Sequence, residues 1–231
     1  MLKKIIVAVD GYSGCGKSST AKQVAKEIGY NYIDTGAMYR ATTLFFHNNY
    51  VRLTNEKEVL QALSEMQITF RNNPKTGESE VYLNGLNIER DIRQMNISQR
   101  VSEVSAIKAV RDAMVDQQRD MGKKKGIVMD GRDIGTTVFP DAELKIFMSA
   151  DTDVRATRRQ KELYAKGEVV DLQDVKRNLE ERDLIDTTRS ESPLRKADDA
   201  ITLDTTHYVF ETQVQFVIEQ IKVRIKQLEE A

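Results

Sequence analysis

The sequence predicts an α/β fold: a doubly wound parallel sheet flanked by helices, with a small antiparallel sheet inserted into it. Three observations carry this. A continuous apolar run, Ile5 to Val9, leads into the glycine-rich stretch GYSGCGKSS and then into a helical pattern. Short β-type runs crowd together between Met66 and Ile88. After them the alternation of buried strand and amphipathic helix resumes.

Taken in order, Ile5, Ile6, Val7, Ala8 and Val9 read as a strand covered on both faces, the pattern of a parallel sheet. A helix is expected from about Lys17 to Ile28, and a short strand over Tyr30 to Ile33. Asp34 or Thr35 can cap the next helix, which carries Met38, Leu44 and Phe45. The runs MQITF, SEVYL and LNI are separated by the turn signals NNPKTG and NG, which gives an antiparallel insertion. Two helices follow, about Asn96 to Ser105 and Ile107 to Met121. GIVMD and LKIFMS return to the buried-strand pattern. Asp151 caps an arginine-rich helix, another helix runs from about Leu172 to Asp186, and DAITLD is the last strand. In the final helix Val214, Ile218, Ile221, Ile225 and Leu228 share one apolar face.

Composition narrows the function classes. The 231 residues suit one domain with insertions or two small ones. Charged residues make up 31%, above the roughly 25% usual in soluble domains, which fits several solvated helices. The 35 basic and 36 acidic residues leave a net charge of -1, which argues against general binding to nucleic acid or an anionic membrane. One cysteine, Cys15, permits no intramolecular disulfide, and with only two histidines a zinc site is not expected. The N-terminal apolar run is short for a secretory signal, and no run approaches the roughly 20 residues of a membrane span. A cytoplasmic location and a monomeric state are the expectations.

The strongest motif is Gly11 to Ser19, which fits G-x-x-x-x-G-K-[ST] through Gly11, Gly16, Lys17 and Ser18. Its glycines let successive backbone N–H groups of Gly11, Tyr12, Ser13, Gly14, Cys15 and Gly16 turn toward one anion. The helix opening at Lys17 adds its positive end. Lys17 is expected to stand exposed in the loop as a mobile charge for the β and γ phosphates, and Ser18 is placed to ligate Mg²⁺, with Ser19 beside it. No guanine-reading N-K-x-D motif is present, so a GTPase is disfavoured. Cys15, in a loop of inward N–H groups near Lys17, is either an activated thiol or an inert small residue.

Further anion signals lie downstream. DTGAMYR offers the Thr35 hydroxyl, a helix N-terminus and Arg40. Asp130 ends a strand and is followed by Gly131, Arg132 and Asp133. Arg182, Asp186 and Arg189 fall on one face of a helix, provided that helix continues far enough. Arg155, Arg158 and Arg159 share a face and repel one another unless an anion or carboxylates offset them.

With these segments in order, the chain resembles the bacterial cytidylate kinase family nearly end to end. The resemblance is carried by the phosphate loop, DTGAMYR, GRDIGTTVFPDA, RATRRQKEL and ERDLIDTTRSESPLRKADDAITLDTT. It implies a single nucleoside monophosphate kinase domain over residues 1–231, with a nucleotide-binding insert at 66–105 and a helical lid at 155–170. It implies transfer of the γ-phosphoryl group of ATP to CMP or dCMP with Mg²⁺. Thr35, Arg40, Arg132 and Arg189 would then hold the acceptor phosphate, and Ser102, Arg111 and Asp133 would read cytosine. Arg182 and Asp186 would meet sugar and phosphate, and Arg155 and Arg159 would border ATP. Lys17, Arg132 and Arg158 would neutralise the transferring group, and Asp130 would hold Mg²⁺ with Ser18. The chain departs from the family pattern at Tyr12, Cys15, Ser18, Ser19 and Thr35, and no departure removes a needed group.

Overall fold

The computed structural model describes residues 3–73, 79–165 and 167–230, without the side chains of Asn72 and Met95. The strands are β1 (Ile6–Gly11), β2 (Asn31–Asp34), β3 (Ile68–Asn72), β4 (Ser79–Leu83), β5 (Leu86–Asn87), β6 (Ile127–Gly131), β7 (Leu144–Ser149) and β8 (Ile201–Asp204). The helices are α1 (Lys17–Ile28), α2 (Thr35–Asn48), α3 (Glu56–Ser64) and α4 (Met95–Ser105). They continue with α5 (Lys108–Gly122), α6 (Thr152–Ala165), α7 (Leu172–Thr188) and α8 (Phe210–Glu230). A 3-10 turn covers Asp91–Arg93 and a π-helical turn Ile134–Val138. The chain forms two compact units, Met1–Tyr32 with Lys124–Ala231, and Ile33–Lys123.

The first unit is built on a sheet of order β2-β6-β1-β7-β8. β1 pairs in parallel with β6 on one side and β7 on the other, and β7 pairs in parallel with β8. The chain leaves β1 to one side and later crosses to the other. The loop after β1 therefore opens at a topological switch point, where open α/β sheets bind ligands. Alternation along β1 divides its side chains between the two faces. Val7 and Val9 pack with Ile146, Met148 and Leu203 beneath Ala21, Val24 and Ala25 of α1. The α8 stripe of Val214, Val217, Ile218, Ile221 and Ile225 closes the same cluster, with Leu228 at its margin. Each such aliphatic side chain contributes about 1.5–3 kcal/mol when fully buried. Asp10 points to the opposite face, whereas Asp130, in register with Val9, lies on the α1 side.

Helices α6 and α7 form a hairpin with its own small core of Ala156, Leu163, Val175 and Leu179. Asp171 caps α7 by accepting from the Gln173 N–H, and the Asp151 carboxylate takes the Asp153 N–H at the start of α6. The Arg155 N–H closes the first turn of α6 on the Asp151 carbonyl.

In the second unit α2 is buried over most of its circumference. Asp34 is its cap, accepting from the Ala37 N–H at 2.8 Å. β3, β4 and β5 form the expected antiparallel sheet, with Ile68 opposite Leu83 and Phe70 opposite Val81. Asn84 and Gly85, both at positive φ, make the tight turn into β5, as the NG signal requires. Of the other turn signal, residues 74–77 lie outside the described residues. Helix α3 had no counterpart in the sequence reading. It is only nine residues long and buries Val59 and Ala62, too short a stripe to stand out as periodicity.

Candidate functional site

β1 ends at Gly11, whose φ is 145°. A Cβ there would lie 1.9 Å from the Met148 carbonyl oxygen of β7, so only glycine lets the loop leave the sheet at this point. Gly16, at φ 92°, occupies the N-cap position of α1 and supplies no side-chain cap. The first-turn N–H groups of α1 are thus left for an anion, beside the positive end of the helix.

Lys17 is not exposed, as the sequence reading expected, but buried at 6% relative accessibility. Its Nζ donates to the Tyr12 carbonyl at 2.5 Å, so the loop folds around the ammonium. Burial pulls its pKa below the usual lysine value. Cys15 is fully buried, with Sγ donating to the Tyr12 carbonyl at 3.0 Å and packed into the α1–α8 core. Its Sγ also lies 3.8 Å from the Lys17 ammonium, which shares the Tyr12 carbonyl with it. Ser18 Oγ donates to Asp130 Oδ2 at 2.8 Å, and the Tyr32 hydroxyl donates to Asp130 Oδ1 at 2.8 Å. Ser18 and Asp130 thus present a hydroxyl and a carboxylate side by side, hard oxygen donors of the kind Mg²⁺ takes together with phosphate oxygens and water.

The arginines of α6 have distinct partners. Arg155 is buried under the loop; its guanidinium donates to the carbonyls of Ser13 (3.1 Å) and Ala150 (3.0 Å) and to Asp183 (2.5 Å). It also lies 5.4 Å from the Tyr12 ring centroid. Arg158 donates to the hydroxyl and carbonyl of Thr205 at 3.0 and 2.7 Å, and Thr205 Oγ1 donates to the Cys15 carbonyl at 2.9 Å. Arg159 pairs with Glu162 at 3.1 Å toward solvent. Asp183, Thr205 and Glu162 offset the repulsion expected of three arginines on one face. Asp183 was not singled out from the sequence, although it lies inside ERDLID. Its second oxygen takes the Ser13 N–H at 3.4 Å, so α7 touches the loop directly.

Beyond the loop, α7 and the segment after β6 form an acidic–basic cluster. Arg132 Nε donates to Asp186 Oδ2 at 2.6 Å, and Arg189 approaches the other Asp186 oxygen at 3.5 Å. Arg189 also stands 3.8 Å from Asp133 and donates to the Ser192 carbonyl at 3.0 and 2.7 Å. Burial alone would raise the Asp186 pKa, but Arg132, then Arg189 and Arg182, hold it below the usual carboxylate value. α7 ends at Thr188, so Arg189 is its C-cap residue and not part of the helical face the sequence suggested. Its extended conformation still returns the guanidinium to Asp186. Three guanidinium groups, Arg132, Arg182 and Arg189, act on Asp186 here, which suits the cluster to a multiply charged anion.

Asp10 is the second residue the sequence reading passed over. Its carboxylate accepts from the N–H groups of Ile134 and Gly135 at 2.8 and 2.7 Å. Burial pushes its pKa up to about 7, against the pull of those two N–H groups and Lys17.

In the second unit Thr35 is buried at the first position of α2, and Arg40 Nη2 pairs with Asp34 at 3.0 Å. Arg111 is buried and donates to the Ser105 carbonyl at 3.2 Å, with its guanidinium 5.3 Å from the Tyr39 ring centroid. Ser102 is buried, and its carbonyl accepts from Ser105 Oγ at 3.1 Å. Ser105 thereby joins Ser102 and Arg111 at one corner of this unit.

Comparison with known proteins places this geometry in a family context. The family model described as cytidylate kinase matches residues 7–223. A cytidylate kinase of Cytophaga hutchinsonii is 58% identical over 217 residues, covering 94% of this chain and 93% of that protein. A cytidylate kinase of Bacteroides thetaiotaomicron is 51% identical over 229 residues, covering 98% and 100%. Among solved structures, an uncharacterized protein from Eubacterium ventriosum aligns with a TM-score of 0.51 at 14% identity over 96% of this chain and 99% of its own, a likeness of fold alone.

Proposed function

The chain belongs to the cytidylate kinase family, and we propose on that premise how its residues divide the transfer of the γ-phosphoryl group of ATP to CMP or dCMP. The observation that carries the assignment is the pairing, within one unit, of an uncapped helix N-terminus wrapped around Lys17 with the Arg132–Asp186–Arg189 cluster. One binds an anion through backbone N–H groups, and the other through guanidinium groups. A reaction between two phosphates needs both.

The backbone of Gly11 to Ser19 cradles the ATP phosphates, with Lys17 leaving the Tyr12 carbonyl for the β and γ oxygens. Ser18 and Asp130 would hold Mg²⁺, which supplies charge neutralisation between the β and γ phosphates when bound. In the first unit Arg132 and Arg189 are assigned to phosphate, and Arg182 and Asp186 meet the sugar and orient Arg132; in the second unit the family resemblance assigns Thr35 and Arg40 to phosphate. Ser102, Arg111 and Asp133 read the base. An acceptor oxygen attacks the γ phosphorus as the bond to the β,γ-bridging oxygen breaks, and ADP leaves with the electron pair. The acceptor is already an anion, so no general base is required. Catalysis is positioning and electrostatic stabilisation. Lys17, Arg132 and Arg158 offset the charge on the transferring group.

Arg159 borders ATP from the α6–α7 hairpin, whereas Arg155, expected there too, is buried beneath the loop against Ser13, Ala150 and Asp183 and supports the loop from below. That hairpin acts as the lid over 155–170, residue 166 lying outside the described residues, and its closure shields the site from water. The balanced charge argues against general binding to nucleic acid or an anionic membrane, and a monomeric state is part of the proposal. Among the described residues no helix is long and apolar enough to cross a membrane.

The test is ADP release from ATP with CMP, dCMP, UMP or AMP as the acceptor. Release with CMP and dCMP, and far less with AMP, is expected. Equal release with AMP would overturn the base assignment, and no release with any acceptor would overturn the function.

A further inference from the structure

We infer that Asp10 is a positioning residue that fixes the Arg132–Asp133 turn against the phosphate loop, and so sets the reach between donor and acceptor phosphates. The inference rests on the acceptor-side role proposed for Arg132 and Asp133. Asp10 directly precedes Gly11, the first residue of the loop, and belongs to the central strand of the sheet. Its two carboxylate oxygens are shared between two successive N–H groups, Ile134 to Oδ1 at 2.8 Å and Gly135 to Oδ2 at 2.7 Å. These residues open the π-helical turn, an uncommon local structure that recurs at functional sites.

The carbonyl of Asp133 closes that turn by accepting from the N–H groups of Thr137 and Val138 at 2.8 and 3.2 Å. The turn is thus held from both ends, and Asp133 and Arg132 are the residues that lead into it. Space is short as well. A Cβ on Gly135 would meet Lys145 Cδ at 3.1 Å and Asp10 Oδ2 at 3.3 Å, so glycine lets the turn sit this close to the carboxylate. Moving Asp10, or blunting its acceptors, would shift the acceptor-binding groups while leaving the Gly16–Ser19 helix end in place.

Asp10→Asn tests this. The amide keeps one acceptor oxygen and turns an NH₂ toward the second N–H, so one of the two bonds is lost at nearly constant volume. Hydrogen exchange at Ile134 or Gly135 should accelerate in the ligand-free protein. kcat/KM for CMP should fall roughly 10- to 100-fold, the scale of a displacement near 1 Å. Affinity for ATP, titrated alone, should stay within about twofold, since the phosphate cradle is intact. Combining Asp10→Asn with Arg132→Ala should cost less than the product of the single losses, because both act through Arg132.

Parallel losses of ATP affinity and CMP efficiency would overturn the inference by making Asp10 a loop residue only. Unchanged exchange and unchanged kinetics would overturn it as well. If Asp10→Asn does not fold, Gly135→Ala perturbs the same contact from the turn side, and the same split between CMP and ATP is required of it. A wild-type protein inactive on CMP would refute the acceptor reading itself, while amide exchange would still report the clamp.

Discussion

Replacing Asp133 with alanine is expected to change which base is accepted more than how well the phosphate is held. Cytosine offers an N4 amino donor that a carboxylate can accept, whereas uracil presents a carbonyl at that position. Asp133 is 4% exposed, so its partner groups cannot turn to water when the match fails. A buried polar group left unpaired costs about 1–3 kcal/mol, more when charged. At 1.36 kcal/mol per factor of ten, that corresponds to roughly 5- to 150-fold in the CMP-to-UMP ratio of kcat/KM. Arg189, which stands 3.8 Å from Asp133, keeps Asp186 at 3.5 Å and the Ser192 carbonyl, so the phosphate side should survive the change. The assay is coupled ADP release at varied CMP and UMP, with Arg132→Ala as the control. That control should lower both substrates alike, because a phosphate contact carries no base information. A folded Asp133→Ala enzyme that loses CMP and UMP activity equally would refute the reasoning and make Asp133 a support for the turn only.

Lys17→Met keeps the buried stem and removes the charge that burial disfavours, so the melting temperature should hold while kcat falls roughly 10²- to 10³-fold; a folded variant with near-normal turnover would contradict the role of the ammonium. Cys15, sealed under the loop, should react with iodoacetamide slowly both with and without MgATP; fast labelling slowed by nucleotide would show that the loop opens around it. The pKa of Asp10, raised to about 7 from 3.8, means that the folded state binds the extra proton. The associated stability is therefore fully present below about pH 4 and is lost as pH rises toward 7. Asp10→Asn should flatten that part of the melting-temperature profile, and an unchanged slope between pH 4 and 7 would show that Asp10 is not its source.

The parts of this protein legible in the sequence are those fixed by neighbours along the chain. The predicted helix from Lys17 to Ile28 and the strand LKIFMS coincide with α1 and β7. The reason is that an uninterrupted apolar run, a helical stripe and a glycine before a lysine are all local signals. The antiparallel strands followed from β-type runs and an Asn-Gly turn. The α8 stripe followed from spacing alone. Motif order along the chain was enough to place it in its family.

What the sequence could not show is which groups meet across long separations. Asp10 reaches Ile134, 124 positions on, and Ser13 reaches Asp183, 170 positions on. Neither separation leaves a periodic trace. The burial of Lys17 and Cys15 was equally invisible, because it depends on how the loop closes over the sheet. Arg155 shows the same division: its spacing from Arg158 and Arg159 marked a charged face, but packing turned it under the loop, where Asp183 and two carbonyls satisfy it. Chain-local physics determined the elements and the phosphate loop; the partner of each buried charge was decided only by the tertiary structure, since a charge taken out of water must find its counterpart wherever the fold delivers one.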